Sequence, residues 1–142
     1  MATIALVDAN TIIETAFARA QQLALKPLTV AVLDAGGHLV ALQRQDGSSN
    51  LRAGIAIGKA GGALALGVSS RKIGEMAIER PTFINALVPI APSGIVPSAG
   101  GVIVVDGDGR TIGAVGVTGD IADNDELCAL AGIAAAGLAA QG

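Results

Sequence analysis

Between Leu28 and Leu33 the chain reads Leu-Thr-Val-Ala-Val-Leu, and neither face of such a strand is polar: Val30 and Val32 point one way, Ala31 and Leu33 the other. A strand apolar on both sides has to be covered on both, by helices or by a neighbouring subunit. The run Leu39–Leu42 follows after Asp34-Ala35-Gly36-Gly37, so the stretch as far as Arg44 reads as a β-hairpin whose glycines supply the positive φ of a tight reversal. His38, the chain's single histidine, sits at that turn. It is either a polar residue at a strand start or the one imidazole able to ligate a metal-bearing cofactor or move a proton near neutral pH.

Before the hairpin, Ile12, Ile13, Ala16, Phe17, Ala20, Leu23 and Ala24 recur at helical spacing and predict an amphipathic helix from about Asp8 to Leu25, stopped by Pro27. Thr11 with Glu14 makes a capping box there, with Asp8 the alternative cap. After it, a turn at Asp46–Asn50 leads into a helix over Leu51–Leu66, with Ser49 or Asn50 as its cap. Gly54, Gly58 and Gly62 stand four residues apart on that helix. Each costs ~1 kcal/mol of helix stability relative to alanine, so a close neighbour has to offset the loss: a packed backbone or a ligand. Lys59, beside the stripe, reads as a solvated charge placed where an anionic group can reach it.

A short helix over Ser69–Ile78 ends near Pro81, and Phe83–Val88 adds a turn before Pro89. Pro89–Gly101 holds three prolines and three glycines and reads as an irregular loop whose free N–H groups a scaffold can aim at a ligand. A second hairpin, Val102–Val105 and Thr111–Val117, closes on Asp106-Gly107-Asp108-Gly109. Gly113 and Gly116 leave room on its second strand for another backbone or a flat ligand. The last helix runs from Asp123 or Asn124 to Ala140, with Asp125 and Glu126 at the positive end of its dipole.

The 142 residues make one domain, 1–142. A net charge of −3 without a basic cluster, and the absence of Trp and Tyr, argue against nucleic acid. Mean hydropathy is +0.62, yet the longest uncharged helix-like run, Ala60–Ser70, is too short to cross a bilayer, and no secretory h-region is visible; a cytoplasmic protein with no membrane partner is expected. Cys128 stands alone, which excludes an intramolecular disulfide and a cysteine-rich zinc site. Only 15% of residues are charged, so other copies of the chain are expected to cover part of the apolar surface. No phosphate-binding glycine motif, nucleophile elbow or metal-ligand spacing is present.

Three stretches carry a likeness to a known family: VAVLDAGGHLVALQRQDG, the Ile57-Gly58-Lys59-Ala60 helix segment, and GGVIVVDGDGRTIGAVGVTGDIADNDELCALAGI. Taken in order they span nearly the whole chain, which resembles the GlcG/HbpS/PduO C-terminal family, also called haem-degrading or DUF336. The resemblance implies a profilin-like α/β fold, an antiparallel sheet of about five strands flanked by helices, assembled into a homo-oligomer, from a dimer up to an octamer. It also implies haem or corrinoid biology and a setting in catabolic operons. By position the matching residues are Asp34, Gly36, Gly37, His38, Lys59, Gly100, Gly101, Gly113, Gly116, Gly119, Asp125 and Glu126. The chain departs from the family's pattern at Gly61–Gly62 and Gly119–Asp123.

Two active readings follow, beside that of a purely structural oligomer. In the first, the chain is a small-ligand-binding module for haem or a related tetrapyrrole. His38 is then the ligand to haem iron, Cys128 or Met76 its only substitutes, and Asp34, Lys59, Gly100, Gly101, Asp125 and Glu126 line the site. In the second it is an isomerase, tautomerase or hydrolase acting on a small carboxylate or hydroxy acid. There Lys59 and the N–H groups of Ser98–Gly101 hold the anion, and His38, Asp125 or Glu126 carries the proton. Both expect the hairpin turns and the start of the last helix to converge on one cavity at a subunit boundary.

Overall fold

The computed structural model describes residues 2–142. Five strands form one antiparallel sheet in the order β2-β1-β4-β3-β5: β1 Thr29–Asp34, β2 Leu39–Arg44, β3 Gly101–Val105, β4 Thr111–Thr118 and β5 Ala139–Ala140. Helices α1 (Leu6–Gln22) and α5 (Ala122–Ala135) pack on one face. Helix α2 (Leu51–Leu66) crosses β1, β4 and β3 on the other, with α3 (Ser70–Glu79) and α4 (Pro81–Leu87) beyond it. The fold is thus the expected α/β one, a five-stranded antiparallel sheet flanked by helices. β1, apolar on both sides, is buried from Thr29 to Leu33, with Val30 and Val32 against the α1/α5 layer and Leu33 against Ala60 of α2.

Helix α1 exists because Ala9, Ile12, Ile13, Ala16 and Ala20 form one apolar stripe, all buried. It begins two residues earlier than expected, at Leu6. Neither Asp8 nor a Thr11–Glu14 box caps it; the N-cap is Ala5, and Thr11 Oγ1 instead donates back to Val7 O. Its end also comes early. Ala24 takes a left-handed φ of 54°, and the Leu25 N–H reaches back to Ala20 O, the closing bond of a Schellman motif. Gly132 of α5 lies so close to α1 that a Cβ there would stand 2.6 Å from Ile12 O.

Helix α2 matches its expected bounds, though no side chain of Ser49 or Asn50 caps it. Its glycine stripe divides. Gly58 and Gly62 pack against the 93–96 loop, through Val96 and Ile95, whereas Gly54 faces open space. A Cβ on Gly116 would collide with Ala56 O of α2, and one on Gly101 with Lys59 O, so the gap at Gly116 is filled by helix backbone. Gly113 lies against Ile4 and the Leu33 carbonyl.

Helix α3 is capped by Ser69, whose Oγ accepts from the Lys72 N–H at 3.3 Å. The turn expected at Phe83–Val88 is a helix that starts on Pro81, at the first-turn position where its missing N–H costs nothing. The last helix does not reach Ala140. It stops at Ala135 because Gly137 adopts φ +74° and Leu138 N–H bonds to Ile133 O, which turns the chain so that Ala139 and Ala140 pair with Val105 and Val104 as β5. Alanine's helix preference hid that turn. No single helix among the described residues is long and apolar enough to cross a membrane.

Candidate functional site

Lys59 is not a solvated charge. Its side chain leaves α2 and passes Gly100 to the end of the sheet, where Nζ donates to Ala99 O (2.9 Å), Val117 O (2.9 Å) and Asp125 Oδ2 (3.2 Å). Lysine and aspartate are 3% and 2% exposed. The other carboxylate oxygen of Asp125 accepts from the Asp120 N–H at 2.9 Å. Every donor of the ammonium is thereby used, and a helix on one face of the sheet is tied to a helix on the other. Burial lowers the Lys59 pKa, with Asp125 pulling partly back. Burial likewise raises that of Asp125, against the Asp120 N–H and Lys59.

Gly100 and Gly101 serve this passage. Gly100 has φ +128°, and a Cβ on it would meet Lys59 Nζ at 2.9 Å. The Gly101 N–H donates to Ser70 Oγ (2.7 Å), and that hydroxyl donates to Ser98 O (2.6 Å). The Ser98 N–H bonds to Val96 O. The loop amides expected to hold an anion at Ser98 and Gly101 are therefore engaged within the protomer.

Outside the buried pair sits a cation whose partners lie too far off along the chain to be placed from sequence. Arg71 of α3 donates from Nε to both carboxylate oxygens of Glu126 (3.1 Å each) and from a terminal nitrogen to Asp123. The two carboxylates hold its pKa above the ordinary range. Arg71, Asp123, Ser98 and Ala99 border a cleft of about 420 Å³ between α3 and the start of α5. Arg71 lies far from Glu126 in sequence, and only the fold brings the two together.

His38 lies at the other end of the sheet. Thr29 pairs with Thr118 and Asp34 with Gly113, so the length of β1, about 17 Å, separates the Asp34–His38 turn from the Lys59–Asp125 end. The expected convergence of both hairpin turns with the start of the last helix does not occur within the protomer. β4 runs away from the turns before α5 begins.

The two turns themselves are built alike. Asp34 Oδ1 accepts from the N–H groups of Gly36 (3.0 Å) and His38 (2.9 Å), and Gly37 takes φ +84°. Asp106 Oδ1 accepts from Asp108 (2.9 Å) and Arg110 (3.0 Å), and Gly109 takes φ +78°. In the first turn the same Asp34 oxygen lies 3.4 Å from His38 Nδ1, and the imidazole is 83% exposed. A carboxylate beside Nδ1 favours the tautomer that leaves Nε2 facing outward with a free lone pair.

Neither Cys128 nor Met76 is open to a ligand in its place. Cys128 is fully buried beneath α5, with its thiol pKa pushed up to about 11 by burial, and Met76 packs into the α3–α4 cluster. Among the described residues no group of three or more His, Cys, Asp and Glu could hold a metal ion. The larger cleft, about 820 Å³, lies between α1 and the end of β2, lined by Phe17, Ala18, Leu25, Gln43, Arg44 and Asp46 among others. His38 borders neither cleft.

The model of one family, described as haem degrading protein HbpS-like, matches residues 4–134. An uncharacterized 15.0 kDa protein from the dhaT–dhaS intergenic region of Citrobacter freundii is 30% identical over 129 residues, 91% of this chain and 89% of the relative. The crystal structure of a PduOC–haem complex superposes with a TM-score of 0.86, at 23% identity, covering 99% of both chains. The crystal structure of HbpS gives a TM-score of 0.81 at 25% identity, covering 94% of this chain and 90% of that one.

Proposed function

The chain belongs to the HbpS-like family, and on that premise we propose that it binds haem or a related tetrapyrrole through Nε2 of His38, in an assembly of several copies. The observation that carries this reading is the exposed imidazole with a carboxylate oxygen of Asp34 3.4 Å from its Nδ1, on the side away from the Nε2 that would meet iron. Leu39 beside it is 52% exposed and offers an apolar surface next to the ligand. A haem held there would bring an iron able to exchange electrons and take up small ligands. The chain's own part is to fix the imidazole's tautomer and to supply aliphatic walls, for which one protomer is too open at this end. A second copy is the natural source of the missing wall.

The competing reading, an enzyme acting on a small carboxylate, needs a free cation beside free amide donors. Lys59 and the Gly101 N–H are committed to internal partners, and Arg71 is neutralised by two carboxylates.

Titration of the purified protein with hemin tests the proposal. A Soret band is expected from the wild type, absent from His38→Ala and restored to that variant by added imidazole. A wild type that leaves the hemin spectrum unchanged rejects it.

A further inference from the structure

Three aspartates of the chain are followed directly by glycine, at Asp46–Gly47, Asp106–Gly107 and Asp108–Gly109. In such a step no Cβ shields the glycine nitrogen, which can attack the side-chain carboxyl of the aspartate before it and close a cyclic imide. The local structure has to leave two groups at liberty for this: a carboxyl able to turn toward the main chain, and a following N–H that donates to nothing else. The three steps differ in both.

In the β3–β4 turn each step is held at one of its two groups. Asp106 Oδ1 accepts from the N–H groups of Asp108 (2.9 Å) and Arg110 (3.0 Å), which pins that carboxylate across the turn and away from Gly107. The Gly109 N–H donates to Asp106 O at 3.0 Å, so the nitrogen that would attack Asp108 is engaged. Asp46–Gly47 is held at neither. These are the two middle residues of the turn that the Ser48 N–H closes on Gln45 O (3.0 Å), and Gly47 is exposed at φ +86°. The ends of this turn are fixed, since Gln45 Oε1 accepts from the Leu28 N–H (2.7 Å) and Ser48 Oγ lies 2.8 Å from Thr29 Oγ1. Among the described residues neither the Asp46 carboxylate nor the Gly47 N–H has a hydrogen-bond or ion-pair partner.

We propose that Asp46–Gly47 is a site of spontaneous isoaspartate formation in the folded protein, ahead of both steps of the second hairpin. The Gly47 nitrogen bonds to Asp46 Cγ, and the carboxyl hydroxyl leaves with the N–H proton as water. Water then reopens the imide. Addition at the main-chain carbonyl leaves the chain running through the former side chain, with a free carboxylate on Cα. Nothing is oxidised or reduced, and water is the only co-reactant. The new linkage puts one more carbon into the main chain between Gln45 and Ser48, whose mutual hydrogen bond closes the turn, and it moves a carboxylate on the wall of the α1–β2 cleft. The product belongs to the class that isoaspartyl-directed carboxyl methyltransferases accept. None of this depends on the reading of His38.

The test compares the folded protein with its own unfolded chain. Wild type is held at physiological temperature in mildly acidic buffer, beside a sample kept unfolded in guanidinium chloride, until the unfolded sample carries isoaspartate at all three steps. Both are digested and mapped by mass spectrometry, where an isoaspartyl peptide elutes apart from its parent at unchanged mass and electron-transfer fragmentation assigns the residue. Labelling with an isoaspartyl methyltransferase and tritiated S-adenosylmethionine gives the total. Each step's extent in the folded protein, divided by its extent in the unfolded chain, is expected to be several-fold higher at Asp46 than at Asp106 or Asp108. Asp46→Glu, whose imide ring would be one atom larger, is expected to lose most of the label in the folded sample. A folded protein in which Asp106 or Asp108 leads, in which all three steps keep the proportions of the unfolded chain, or which gains no isoaspartate, overturns the proposal.

Discussion

Lys59 Nζ lies 3.2 Å from Asp125 Oδ2, with both side chains almost wholly out of solvent, at the end of the sheet opposite His38. Taking two charges out of water is costly, and the cost is met here by their mutual contact and three further bonds: Ala99 O and Val117 O to the ammonium, and the Asp120 N–H to the carboxylate. A pair so completely satisfied is a joint between α2 and α5. Removing one partner strands the other. Lys59→Met is expected to lower unfolding stability by about 3–5 kcal/mol in chemical denaturation. Asp125→Asn, which keeps an acceptor for Asp120, is expected to cost less.

The close approach of α2 to the sheet is tested by two glycines of unlike setting. Gly116→Ala would drive a methyl into Ala56 O and is expected to destabilise the fold by more than ~2 kcal/mol. Gly54→Ala meets nothing within 4 Å and is expected to stabilise by up to ~1 kcal/mol through helix propensity. Thermal melts of the two variants should move in opposite directions.

Ala24 holds a left-handed backbone, φ 54°, at the end of α1. Alanine is strained there and glycine is not, so Ala24→Gly is expected to raise stability by about 1 kcal/mol, read as a higher denaturation midpoint with an unchanged slope.

These positions also mark where the sequence was legible. Paired apolar runs around Asp34–Gly37 and Asp106–Gly109 announced both hairpins, because glycine and aspartate at those spacings have few other uses. Helix α2 was readable from end to end. The short strand at Ala139–Ala140 was not, since alanine speaks for helix and only the left-handed Gly137 argues otherwise. At the site, the importance of Lys59, Asp125 and Glu126 was visible but their partners were not. A lone lysine on a glycine-rich helix looks solvated until the fold shows Gly100 and Gly101 opening a path for it. Arg71 drew no attention, since its partners Asp123 and Glu126 come from a distant helix.

Acid sensitivity should trace to Asp120. Its carboxylate accepts from Asn124 Nδ2 (2.8 Å) and the Lys26 N–H (3.1 Å), and these bonds, with the Ile121 N–H, hold its pKa below the ordinary value. A folded pKa below the unfolded one, near 3.9, adds stability above about pH 4 that is lost as pH falls through the folded value. Asp120→Asn should therefore flatten the decline in stability below pH 4 while changing little in its slope above pH 5, as followed by urea midpoints across the range.

The turn proposed to hold haem and the Lys59–Asp125 joint stand at opposite ends of the same sheet, and the Soret absorbance per folded chain measures whether they act separately. With hemin titrated side by side into wild type, His38→Ala and Lys59→Met, below the unfolding transition of each, the account predicts a full band for wild type and Lys59→Met and none for His38→Ala. A band that survives in His38→Ala, or disappears from folded Lys59→Met, would contradict it.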